Sequence, residues 1–119
     1  MTRILLVDDD EDHLRLFTLV LEDGGYSVDA YTDPVAALLK FMPDYYDVAV
    51  LDYIMPDLNG LELYRRIREV DPTIRCSILT ATHEKFSEDD NPQRSENLRI
   101  IRKPIGNEEL LMKIGKQIS

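Results

Sequence analysis

The chain has 119 residues, a length that suits one domain rather than two. It carries 23 acidic and 14 basic side chains, and the resulting net charge of −9 argues against direct nucleic-acid binding. The 44% hydrophobic content is typical of a globular protein and excludes wholesale disorder. Cys76 is the single cysteine, so a disulfide framework and a thiolate zinc site are both excluded.

The N-terminal sequence predicts the compartment. An apolar run over residues 4–7 is followed at once by acidic residues, and it is too short for a signal peptide or a membrane span. We therefore expect a cytoplasmic protein without a membrane partner.

Short apolar runs alternate along the chain with stretches of helical periodicity. Wholly apolar runs predict strands that are buried on both faces, whereas apolar residues three or four apart predict helices. The predicted strands are 4–7, 27–31, 48–51, 77–79 and 98–101. The predicted helices carry Leu14, Phe17 and Leu21, then residues 36–41, then Leu63, Ile67 and Val70, and finally Leu110, Leu111, Ile114 and Ile118.

Helix boundaries are predicted from turn and capping residues. The pair Asp33-Pro34 starts the second helix, because Asp accepts from free amides and Pro suits the first helical position. Asn107 is the predicted cap of the last helix. Asp10 and Glu11 are read as charges that favour the N-terminus of the first helix rather than as metal ligands.

Five strand–helix units in series predict an α/β fold with a doubly wound, five-stranded parallel sheet covered by helices on both faces. The fourth unit departs from the pattern. Residues 84–97 hold seven charged residues and one large apolar residue, Phe86, which leaves no apolar stripe to bury. We expect the fourth helix to be short or irregular.

Reactive side chains follow two of the predicted strands, the first and the third, which flank the reversal of winding if the strand order is 2-1-3-4-5. Asp8 and Asp9 come after the first strand, and Asp52 after the third. Ligands of such sheets bind beyond the carboxyl ends of the strands, where the winding direction reverses. Three converging carboxylates require a proton or a cation, and ligation by oxygen alone suits Mg²⁺, with Mn²⁺ as a second candidate.

Two further residues complete a chemical pattern. Thr80 ends the fourth strand with a hydroxyl donor, and Lys103 follows the fifth with a mobile positive charge. A carboxylate nucleophile, a divalent metal, a lysine and a hydroxyl together suit phosphoryl transfer, which depends on positioning and charge neutralisation.

These residues resemble the response regulator receiver domains, and the resemblance covers residues 1–119. The matching segments are 4–10, 47–60, Thr80-Ala81 and Lys103-Pro104. The resemblance implies a flavodoxin-like three-layer α/β/α sandwich with strand order 2-1-3-4-5, and a Lys103-Pro104 peptide bond that is commonly cis in the family.

The resemblance also implies a role for each site residue. Asp52 would take a phosphoryl group from a sensor histidine kinase or a phosphotransfer protein. Asp9 would bind Mg²⁺ directly, Asp8 mainly through water, and Ile54 through its backbone carbonyl. Lys103 would pair with Asp52 and then with the acyl phosphate, and Thr80 would move toward the phosphate. The implied output is binding of an effector protein or control of a fused output domain. The only catalysis would be of the chain's own phosphorylation and dephosphorylation.

Four places in the sequence bear on how it differs from the family. Ile100 stands where an aromatic residue is usual, and residues 95–97 replace a segment of small residues. Ile54 and Thr82 occupy positions whose side chains help to admit or align the hydrolytic water in the family. Because Ile54 cannot hydrogen-bond that water, we predict slow self-dephosphorylation.

Two other functions stay open at the level of sequence. Asp8 and Asp10 fit the opening motif of aspartate-nucleophile, dehalogenase-type phosphatases, with Asp8 as the nucleophile, although the chain is short for that fold and its cap. A receiver-like binding module that no longer takes phosphate is the other. His13 is interpreted as a surface residue of the first helix, and Cys76 as a small core-facing or strand-edge residue.

Overall fold

A computed structural model describes residues 2–81 and 97–119. Its strands are β1 (Arg3–Val7), β2 (Ser27–Tyr31), β3 (Val48–Asp52), β4 (Arg75–Thr80) and β5 (Leu98–Arg102). Its helices are α1 (Glu11–Asp23), α2 (Pro34–Lys40), α3 (Gly60–Val70) and α4 (Asn107–Ile118). The expected short or irregular helix between β4 and β5 lies outside the described residues.

The five strands form one parallel sheet in the order β2-β1-β3-β4-β5. This confirms the doubly wound fold and the strand order that the resemblance implies. The winding direction reverses between β1 and β3, which are neighbours with Val7 aligned to Leu51. The residues that follow those two positions, Asp8 and Asp52, are thereby brought side by side.

The sheet separates two apolar layers. Leu5 and Val7 of β1 pack in one layer, whereas Ile4 and Leu6 pack in the other, and all four are fully buried. The first layer includes residues of α2 and α3, and the second includes residues of α1 and α4. Burial on both faces explains why β1 is apolar at four successive positions, and the predicted three-layer sandwich is confirmed.

Cys76 lies fully buried in the first layer, as predicted for a small core-facing residue. Burial raises the pKa of its thiol well above the usual range, so the thiol stays neutral and unreactive near neutral pH.

The helix boundaries follow from capping, with one correction. Asp10 caps α1 by accepting from the amides of Asp12 and His13, which confirms its predicted role at the helix N-terminus. Asp33 caps α2 in the same way, with Pro34 as the first helical residue. The prediction that Asn107 caps the last helix is wrong. Gly106 holds that position in an extended conformation without a side-chain cap, and Asn107 is already helical.

The longest described helix is α1 with 13 residues. Among residues 2–81 and 97–119, no helix has the length and apolar character needed to cross a bilayer.

Candidate functional site

Three carboxylates meet at the carboxyl edge of the sheet. Asp8 and Asp9 follow β1, and Asp52 ends β3. One oxygen from each carboxylate lies within 4.8 Å of the others, close enough for one metal ion to contact all three. The predicted convergence is therefore present in the structure, and it follows directly from the adjacency of β1 and β3.

Asp8 is the buried member of this acidic cluster, with 1% of its surface exposed. Its Oδ1 accepts from the backbone amide of Asp10 at 3.0 Å, whereas its Oδ2 is buried without a hydrogen-bond partner. Burial raises the pKa of Asp8, and repulsion from Asp52 adds to the increase, although the Asp10 amide and the Lys103 ammonium oppose it. A buried carboxylate oxygen is costly without a partner, and a bound cation would provide one.

Lys103 provides the positive charge of the site. Its Nζ lies 3.0 Å from Oδ1 of Asp52 and 3.9 Å from Oδ2 of Asp8. The Lys103 side chain is 17% exposed and that of Asp52 is 14% exposed, so the pair is partly shielded but still open to a reactant. The Lys103 amide donates to the carbonyl of Thr80 at 2.8 Å, and the Lys103-Pro104 peptide bond is cis, as the resemblance implies.

Thr80 and Ile54 lie at the same end of the sheet but differ in solvent exposure. Thr80 ends β4 between β3 and β5, and it is 2% exposed. Ile54 lies two residues beyond Asp52 in the loop before α3, and it is 70% exposed. Thr82, which the resemblance links to hydrolysis together with Ile54, lies outside the described residues.

The loop that follows Asp52 is held in place by Gly60. The Gly60 amide donates to the carbonyl of Tyr53 at 2.8 Å. A Cβ atom at position 60 would lie 2.5 Å from the backbone oxygen of Asp52, closer than any side chain tolerates. Sequence reasoning missed this close approach, which fixes the start of α3 against the end of β3.

For His13, the sequence predicted the exposed position but not the proximity to Asp8. Its side chain is 50% exposed, as expected for a surface residue of α1. Its Nδ1 nevertheless lies 3.9 Å from Oδ2 of Asp8, at the rim of the acidic cluster. This proximity could have been inferred from sequence, because His13 lies in the first turn of the helix that directly follows the acidic run.

Comparison with known proteins identifies the family. The model of the response regulator receiver domain family matches residues 4–115. The chain belongs to that family. The response regulator ArlR of Staphylococcus aureus is 35% identical over 114 residues, which cover 96% of this chain and 51% of ArlR. The chain thus spans about half the length of the curated relatives it matches.

Solved receiver domains have the same fold. The non-phosphorylated HemR receiver domain from Leptospira biflexa superimposes with a TM-score of 0.88 at 29% identity, covering 100% of this chain and 95% of that one. A CheY-like receiver domain protein from Methanospirillum hungatei gives a TM-score of 0.83 at 24% identity, with 99% and 94% covered.

These comparisons decide between the first two functions considered from sequence. The chain is a receiver domain of the kind found in two-component response regulators. The relatives are response regulators and not dehalogenase-type phosphatases, so the alternative function with Asp8 as nucleophile is set aside.

Proposed function

We propose that Asp52 accepts a phosphoryl group from the phosphohistidine of a sensor histidine kinase or a phosphotransfer protein. The observation that carries this proposal is the position of the Asp52 carboxylate beside Lys103 and within the acidic cluster. The carboxylate is also partly open to solvent. A carboxylate oxygen attacks phosphorus as the bond from phosphorus to the histidine nitrogen breaks, and the imidazole keeps the electron pair and takes a proton. The product is an acyl phosphate on Asp52.

The acidic cluster fits Mg²⁺, with Mn²⁺ as a second candidate. Asp8, Asp9 and Asp52 offer only oxygen atoms, and the buried Oδ2 of Asp8 has no hydrogen-bond donor. The backbone carbonyl of Ile54, in the loop beyond Asp52, is proposed as a further ligand. When bound, the ion would neutralise charge on the phosphoryl oxygens and on the carboxylates that surround them.

Lys103 and Thr80 act on the phosphoryl group in this proposal. The Lys103 ammonium lies 3.0 Å from Asp52 and is placed to contact a phosphoryl oxygen once Asp52 is phosphorylated. The Thr80 hydroxyl, at the end of the neighbouring strand, would then turn toward the phosphate and alter the nearby surface. The catalysis is limited to the chain's own phosphorylation and dephosphorylation.

The partners follow from family membership. A histidine kinase or phosphotransfer protein would supply the phosphoryl group, and an effector protein or a fused output domain would respond to it. The chain's net charge of −9 makes direct nucleic-acid binding unfavourable. Such an exchange with a kinase takes place in the cytoplasm, which is the location we propose.

Phosphorylation by a small donor tests the proposal without a known kinase. The chain is incubated with acetyl phosphate and Mg²⁺, and the modified peptide is located by mass spectrometry. We expect one added phosphoryl group on Asp52, none after chelation of the metal, and none in Asp52→Asn. Modification of Asp8 would instead favour the phosphatase chemistry. An unmodified wild-type chain would favour a binding module that does not take phosphate.

A further inference from the structure

Residues of β4, β5 and α4 line a cavity of about 420 Å³, a volume in the range of small-molecule binding sites. Arg75 begins β4, and Ser77 lies two residues further on the same side of that strand. Ser77 is aligned with Arg99 of β5 and hydrogen-bonds to Gln117 of α4, so this side of the sheet faces α4. The period of the strands thus places both arginines in the wall of the cavity, together with Lys116 of α4.

The cavity lies away from the acidic cluster. Arg75 is at the amino end of β4, whereas Thr80 is at the carboxyl end, which borders the cluster. The strand has 6 residues and is therefore about 17 Å long. A ligand in the cavity would occupy a site separate from the one proposed for phosphoryl transfer.

The charged side chains of the cavity wall are all basic. Its lining residues, which all belong to the described part of the chain, include Arg75, Arg99, Lys113 and Lys116 and no acidic side chain. The chain as a whole has 23 acidic and only 14 basic side chains. The charge of Lys113 is partly balanced by Glu109 at 4.0 Å, whereas within residues 2–81 and 97–119 neither Arg75 nor Lys116 pairs with an acidic side chain. A concave wall of one charge attracts ions of the other.

Hydrogen bonds hold the cavity in a fixed shape. Nε2 of Gln117 donates to the carbonyls of Cys76 at 2.8 Å and of Asn97 at 3.2 Å. The Arg75 guanidinium donates to the carbonyl of Ile118. These bonds fasten the last turn of α4 to β4 and β5, so a ligand would meet a preformed site. A guanidinium has several N–H donors, and Arg75 therefore has others to offer a ligand.

We propose that this basic cavity binds a small soluble molecule that carries two or more phosphate groups, with Arg75, Arg99 and Lys116 as its counter-charges. A phosphate group presents oxygens in three directions, which suits cations that come from two strands and a helix, whereas the oxygens of a carboxylate lie in one plane. A soluble ligand is favoured over a lipid headgroup because the net charge of −9 opposes approach to an anionic membrane.

Calorimetry with inorganic pyrophosphate, after divalent metals have been removed, tests the proposal. Without a metal the acidic cluster repels the anion and cannot bind it. We expect the wild type to bind pyrophosphate, and Arg99→Gln combined with Lys116→Gln to bind it about tenfold more weakly, because two counter-charges are lost. Lys40→Gln combined with Arg66→Gln is the matched control. These exposed residues lie on α2 and α3, across the sheet from α4, and their loss changes the net charge equally.

Two further probes distinguish the class of ligand. Citrate, a carboxylate polyanion, should bind more weakly than pyrophosphate, and equal affinity would overturn the assignment to phosphate. Vesicles that contain phosphatidylinositol 4-phosphate should not retain the chain in a sedimentation assay. Retention that is lost in the Arg99→Gln, Lys116→Gln variant would assign the phosphate to a lipid and overturn the soluble ligand.

Amide shifts of the ¹⁵N-labelled wild type locate the site without any variant. We expect pyrophosphate to shift amides within residues 75–77, 99–101 and 113–119. Shifts confined to other residues, no detectable binding, or an equal loss of affinity in the control variant would overturn the proposal.

Discussion

The ammonium group of Lys103 donates a 3.0 Å hydrogen bond to Oδ1 of Asp52, and this contact joins the end of β5 to the end of β3 across β4. The acidic cluster is thus partly neutralised before any metal binds. A metal ion and the Lys103 ammonium are both attracted to the same carboxylates and repel each other, so each weakens the binding of the other. Phosphorylation of Asp52 would remove one partner of the pair and leave the ammonium to contact the phosphate.

Removal of the Lys103 charge should therefore strengthen metal binding while it slows phosphorylation. We expect Lys103→Met to raise the affinity for Mg²⁺ about tenfold, or roughly 1.4 kcal/mol, because one repelling charge leaves the site. Calorimetry gives the affinity, and the rate of acetyl phosphate labelling gives the reactivity. Lys113→Met is the matched control, since Lys113 is an exposed residue of α4 that pairs with Glu109 at 4.0 Å. Weaker Mg²⁺ binding in Lys103→Met would contradict the competition.

Asp8 should destabilise the metal-free fold at neutral pH. Its pKa is raised in the folded chain above the ordinary 3.8, so folding disfavours the ionised form. This unfavourable contribution is absent below the unfolded pKa and develops as the pH rises through the folded pKa. Asp8→Asn, which keeps an acceptor for the Asp10 amide, should have a higher free energy of unfolding than the wild type at pH 7 and a similar one near pH 3.

Urea unfolding with a chelator, at both pH values, measures the stability difference between wild type and Asp8→Asn. Saturating Mg²⁺ should reverse the order at pH 7, because the wild type binds the ion more tightly and binding stabilises the folded chain. A gain of equal size at both pH values would show that the charge of Asp8 is not its cause.

Much of the fold could be predicted because it follows from burial. The wholly apolar run at 4–7 has to be covered on both faces, and that requirement selects a parallel sheet with helices on each side. Residues placed after β1 and β3 then meet at one edge, which is why the convergence of Asp8, Asp9 and Asp52 was predictable. The strand order itself came from the family resemblance.

The remaining features depend on geometry that residue types do not encode. Asn107 and Gly106 are both acceptable cap residues, and the path of the chain after Pro104 places Gly106 at the cap. The contact of Gly60 with the carbonyl of Asp52 joins residues separated by a loop, so no local pattern reveals it. The orientation of the His13 ring toward Asp8 depends likewise on where α1 begins.

Gly60, the first residue of α3, should be intolerant of a side chain. A Cβ atom there would meet the backbone of Asp52 at 2.5 Å, and a backbone group cannot move aside as a flexible side chain can. We expect Gly60→Ala to destabilise the fold by about 2 kcal/mol and to weaken Mg²⁺ binding by shifting Asp52. Gly106→Ala is the control, because nothing lies within 4 Å of its added Cβ. Similar unfolding midpoints for the two variants would argue against the close approach as a constraint.

Ile54 should govern the lifetime of the acyl phosphate. It is 70% exposed and lies two residues beyond Asp52, so its apolar side chain borders the site without offering a hydrogen bond to an attacking water. Ile54→Asn supplies a donor and an acceptor at that point, and we expect the phosphate to be lost about tenfold faster because the water is better positioned. The measurement is the decay of the phosphorylated mass after acetyl phosphate is removed. Ile54→Leu, which changes shape but not polarity, should keep the slow rate, and an unchanged rate in Ile54→Asn would exclude this position from control of hydrolysis.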